Sequence, residues 1–88
     1  MAELSVSVVS ADGQVWAGAA TMVVARTTDG EIGILPGHEP VLAILGDGQV
    51  RAILPGETQT VTIDAADGFL SVEHDTVMIV ARNAELAG

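Results

Sequence analysis

Hydrophobic positions recur with a period of two along much of this chain. Leu4, Val6 and Val8 alternate with Ser5 and Ser7, and Val61 and Ile63 alternate with Thr60, Thr62 and Asp64. That spacing sends apolar side chains to one face of an extended strand and polar ones to the other. Two segments break the alternation, because VLAIL at residues 41–45 and VMIVA at residues 77–81 are apolar throughout. A sandwich buries a strand on one side, so the outer faces of these two segments need cover, either from neighbouring loops and side chains or from a partner.

Turn signals punctuate the pattern at Asp12-Gly13, Asp29-Gly30, Pro36-Gly37, Gly46-Asp47-Gly48, Pro55-Gly56, Asp67-Gly68 and His74-Asp75. Each supplies residues that tolerate positive φ or preset a turn. Between them lie short segments rich in Val, Ile and Thr, at residues 4–9, 21–26, 41–45, 49–54, 58–63, 69–73 and 76–81. Many short strands at this spacing predict an all-β fold, a small antiparallel β-sandwich of about ten short strands. Residues 1–82 form that one domain, and residues 83–88 are a short tail with the propensity to begin a helix.

Composition narrows the function. An 88-residue chain has room for one modest core. Twelve acidic residues against three arginines give a net charge of −9, which repels phosphate backbones and anionic lipid headgroups. Neither nucleic-acid binding nor direct membrane insertion is expected. No apolar run approaches the roughly 20 residues that span a bilayer, and the amino terminus has no signal-peptide pattern. Cysteine is absent, which removes disulfides and thiolate metal sites.

No constellation suggests catalysis. His38 adjoins Glu39 and His74 adjoins Asp75, but neighbours on a strand point to opposite faces and converge only where a loop bends them. A zinc site would need both histidines and carboxylates drawn from distant turns. There is no phosphate-binding Gly-Lys-Ser/Thr loop and no nucleophile elbow. No cofactor or metal is expected. Trp16, the only Trp, is expected to close one end of the core, and Arg26, Arg51 and Arg82 to pair with nearby carboxylates. The loop Pro36-Gly-His-Glu-Pro40 reads either as a rigid turn or as a recognition loop, since its two prolines reduce the entropy lost on binding.

The segment GEIGILPGHEPVLAIL at residues 30–45 resembles the signature of the epsilon subunit of F-type ATP synthase. LSVSVVSAD at residues 4–12 is similar to that family's first strand and turn, and ADGFLSV at residues 66–72 to its late hairpin. The resemblance covers roughly the whole chain and implies an amino-terminal β-sandwich domain on the rotating central stalk. It implies a non-catalytic rotor subunit that links the gamma subunit to the c-ring, couples proton flow to ATP synthesis, and lies peripherally on the cytoplasmic side of the cell membrane. By residue, it implies gamma-subunit contact at Ser10, His38, Leu42 and Ala43. It implies c-ring contact at Asp29, Glu31 and Gly33, with Glu31 projecting from the end of the sandwich and the small Gly33 permitting close approach. Family members usually continue into a carboxy-terminal helical pair, so auto-inhibition and ATP sensing are not expected of residues 1–88. From the residues alone, a stand-alone acidic β-sandwich that binds a protein or glycan remains the competing expectation.

Overall fold

A computed structural model describes residues 2–56 and 58–87; Met1, Glu57 and Gly88 lie outside the described residues. Eight strands follow one another: β1 (Leu4–Ser10), β2 (Gly13–Ala20), β3 (Met22–Thr27), β4 (Gly30–Ile34), β5 (Val41–Ile44), β6 (Gly48–Ile53), β7 (Thr60–Glu73) and β8 (Thr76–Leu86). They join in the order β2-β1-β8-β7-β6-β3-β4, with β5 also paired to β7.

This continuous sheet folds over on itself because β7 and β8 are long enough to run through both layers. Residues 69–72 of β7 pair with β5, while residues 60–65 pair with β6 along the same edge. The first layer is therefore β2, β1, the start of β8, the end of β7, and β5. The second is the end of β8, the start of β7, β6, β3 and β4. A bridge from Thr27 to Leu45, with Thr28 N–H donating to the Ile44 carbonyl, ties the layers at a corner. Between them the alternating residues of both layers bury one core, including Leu4, Val6, Val8, Leu70, Val77 and Ile79 from the first and Val23, Ile34, Val50 and Ile63 from the second. Trp16 is half-buried against this core and its ring lies over Gly18.

The all-β sandwich is as expected, but three local expectations differ. Among the described residues there are eight strands in place of about ten, and Asp67-Gly68, expected as a turn, does not end a strand. Asp67 takes a positive φ of 58°, yet the β7–β8 register is the same before it (Ala66 opposite Asn83) and after it (Gly68 opposite Ala81). The pair bends one strand instead of joining two. The sheet is also mixed, since β1 runs parallel to β8 from Ser5–Thr76 to Val9–Val80. Finally, residues 83–86 continue β8 as strand, paired to residues 63–66 of β7. A free ladder edge on β7 outweighs the weak helical propensity of so short a segment.

Candidate functional site

Two cross-strand rows define the outer face of the first layer. Leu42, Ser71, Met78 and Ser7 stand opposite one another in succession across β5, β7, β8 and β1. Ile44, Phe69, Val80 and Val9 form the next row. Four strands at the usual spacing carry these rows over about 14 Å. Leu42 is 74% exposed, Ile44 64%, Met78 44% and Phe69 41%, and Val80 and Val9 are half-buried between them. The two uninterrupted apolar segments of the sequence thus lie in one sheet, and Phe69 bridges them into a single surface.

Phe69 is a member of this face that the family resemblance does not mark, although the sequence carries a signal for it. It shares strand parity with Ser71 and Glu73, while Leu70 and Val72 take the buried positions between them. That parity places Phe69 on the polar, outward side. The same rule separates two residues grouped above. Leu42 faces out, whereas Ala43, opposite the fully buried Leu70, is half-buried on the inner side.

The Pro36-Gly37 loop leads into this face. The His38 N–H donates to the Leu35 carbonyl at 3.1 Å, and Gly37 has φ of 86°, the geometry of a Pro-Gly type II turn. The Gly37 N–H donates outside the loop, to Asp75 Oδ1 at 2.7 Å. His38 Nδ1 lies 2.7 Å from the Glu39 carbonyl oxygen. A carbonyl only accepts, so Nδ1 is the donor in this contact. Ser10 is far from this loop. Ser5 pairs with Thr76 beside Asp75, and Ser10 is five residues further along β1, about 17 Å away. Its hydroxyl donates to the Gly13 carbonyl and accepts from the Asp12 N–H. His38 and Ser10 therefore mark opposite ends of the apolar face.

The second layer presents a different outer surface. Arg26, Glu31, Arg51, Gln49 and Asp64 are all exposed there. Glu31 pairs with Arg51 at 3.5 Å, and Gln49 donates to Asp64 at 3.0 Å. Glu31 does not project from the end of the sandwich, because β4 begins at Gly30 and Glu31 already stands opposite Arg26 in the ladder. The tip itself carries Asp29. Buried Thr27 holds it, donating to the Gly30 carbonyl at 2.8 Å and accepting from the Asp29 N–H at 3.2 Å. Gly33 lies on the same face as Glu31, with the Met22 side chain beside it. Arg51 makes the only arginine–carboxylate ion pair among the described residues, so Arg26 and Arg82 differ from the expected pairing.

Among the described residues no group of three His, Asp or Glu side chains is placed to hold a metal ion. Every buried side-chain N or O among them has a partner, so none is aimed at an empty cavity. His74 is exposed and lies 3.6 Å from Glu73, away from any enclosed space. Among the described residues, no helix is long and apolar enough to cross a membrane.

Known proteins match this arrangement over nearly its whole length. The family model described as "ATP synthase, Delta/Epsilon chain, beta-sandwich domain" matches residues 3–87. The chain is 55% identical over 86 residues to the ATP synthase epsilon chain of Micrococcus luteus, spanning 98% of this chain and 93% of that one. It is 47% identical to the epsilon chain of Rhodococcus opacus, spanning 99% of this chain and 71% of the relative. Among solved structures, a chain of the Euglena gracilis mitochondrial ATP synthase (OSCP/F1/c-ring) superposes with a TM-score of 0.89 at 23% identity. That superposition covers 98% of this chain and 54% of the Euglena one. A chain of the Tetrahymena thermophila mitochondrial ATP synthase central stalk/c-ring has a TM-score of 0.73 at 12% identity, covering 94% and 66%. At these identities the structural likeness speaks to the fold, whereas the family match and the bacterial relatives establish descent: the chain belongs to the ATP synthase delta/epsilon chain family, whose β-sandwich domain it forms.

Proposed function

We propose that this chain is a non-catalytic central-stalk subunit of a proton-translocating F-type ATP synthase, linking the gamma subunit to the c-ring so that rotation passes between them. The apolar outer face of the first layer binds gamma, with His38 and Ser10 at its two ends and Leu42 on its β5 edge. The polar hairpin carrying Asp29, Glu31 and Gly33 faces the c-ring loops. The chain then lies peripherally on the cytoplasmic side of the cell membrane, held there through its partners and not by lipid.

One observation carries the reading. A chain with net charge −9 leaves Leu42, Ile44, Phe69 and Met78 exposed together on one flat sheet face. Interfaces concentrate apolar and aromatic side chains at a core and depletion of charge there is their compositional mark. The second layer's outer surface has the opposite character and suits a polar, reversible contact in which rim charges orient more than they bind. Transmission of torque needs contact surfaces and no chemistry from such a domain.

The test mixes the purified chain with the cognate gamma subunit and, separately, with c-ring, and follows complex formation by size-exclusion chromatography. Co-elution with gamma, and retention on the c-ring when gamma is present, are the expected results. A folded chain that joins neither would overturn the reading in favour of an independent acidic sandwich.

A further inference from the structure

We propose that Asp75 is a positioning residue for the gamma-binding face: its carboxylate holds the Gly37 amide and so fixes the His38 loop beside strand β5. The inference rests on the reading that this face binds gamma. Its basis is a junction of three chain segments at one residue. His74 and Asp75 form the two-residue turn between β7 and β8, with φ of 50° and 58°. Positive φ at both positions is the type I′ geometry that suits the twist of a hairpin. The Asp75 carbonyl accepts from the Ser5 N–H at 2.8 Å, anchoring the start of β1. Its side chain reaches 38 residues back in the sequence to accept from the Gly37 N–H at 2.7 Å.

That last bond is what the loop lacks by itself. The type II turn from Leu35 to His38 uses the Leu35 carbonyl and the His38 N–H, leaving the Gly37 N–H directed away from the turn. A carboxylate is a strong acceptor for such a group. Without it, no hydrogen bond among the described residues ties residues 36–38 to the body of the sandwich, and more of the loop's order would have to be gained on binding. His38 precedes Leu42 by four residues, so a mobile loop would blur the approach to the most exposed side chain of the face.

Three substitutions separate the acceptor from the turn. Asp75→Asn keeps an acceptor oxygen and a residue that tolerates positive φ. Asp75→Gly favours the turn but removes the acceptor. Asp75→Ala removes the acceptor and strains the turn, so it reports folding damage. Gamma binding by titration calorimetry and amide hydrogen exchange at Gly37 and His38 are the readouts. Asp75→Gly is expected to exchange faster at Gly37 and His38 but not within β7 and β8, and to bind gamma about fivefold to tenfold more weakly. Asp75→Asn is expected to behave as wild type in both. Unchanged exchange and affinity in Asp75→Gly, with wild type binding normally, would overturn the positioning role and leave the interface standing. Failure of the wild type to bind gamma would overturn the interface itself, and with it this role.

Discussion

Gly68 lies directly against the main chain of Val80, so that a Cβ built on it would meet the Val80 carbonyl oxygen and come within 2.8 Å of the carbonyl carbon. This contact sits at the bend where β7 passes from one layer to the other, next to Asp67 with its positive φ. Backbone cannot move aside as a flexible side chain can. Gly68→Ala is therefore expected to destabilise the fold by about 2–4 kcal/mol, read as a lowered midpoint in urea unfolding. It should also weaken gamma binding, because the displaced segment carries Phe69 opposite Val80.

The apolar face predicts a separation of stability from binding. Ile44→Ala and Phe69→Ala remove side chains that are largely outside the core, so each should shift folding stability by no more than about 1 kcal/mol. Each should cost about 1–2 kcal/mol of gamma affinity, close to tenfold, as truncation of an interface anchor does. Calorimetric titration beside thermal unfolding measures both. Equal losses in both would identify these residues as core and not contact.

Thr27 offers a test of the polar hairpin. Its buried hydroxyl serves both the Gly30 carbonyl and the Asp29 N–H. Thr27→Val retains the shape and leaves those two groups without that partner, for an expected loss of about 1–2 kcal/mol. Hydrogen exchange at Asp29 should rise while exchange in β1 and β8 stays as it was.

Glu31 and Arg51 are both about half exposed at 3.5 Å, so their ion pair contributes little to folding. Glu31→Lys should change the unfolding midpoint by less than the equivalent of about 0.5 kcal/mol. A measurable drop in c-ring retention, steeper at low salt than at high, is expected from the same variant. Retention equal to wild type at low salt would remove Glu31 from the contact.

Particular residues explain how far the sequence could be read. Period-two alternation located β1 and the start of β7 because one face of each meets the core and the other meets water. It could not show that residues 41–45 and 77–81 share a face, since that follows from β5 and β8 both pairing with β7, a long-range choice. Asp67-Gly68 read as a turn because Asp-Gly tolerates positive φ, a property that serves a bend within a strand equally well. Leu42 and Ala43 are adjacent in a uniformly apolar run, which hides strand parity. The Asp75 to Gly37 bond joins two turns that composition marks separately and only the fold brings together.

The central claim concerns what covers Leu42. Titration of the cognate gamma subunit into wild type and Leu42→Asp tests it most directly, because a side chain 74% exposed can be replaced without opening the core. The account predicts that Leu42→Asp unfolds at the wild-type midpoint and binds gamma at least about 100-fold more weakly, the cost of burying an unpaired carboxylate against apolar surface. Binding of gamma with equal affinity by the two proteins would contradict it.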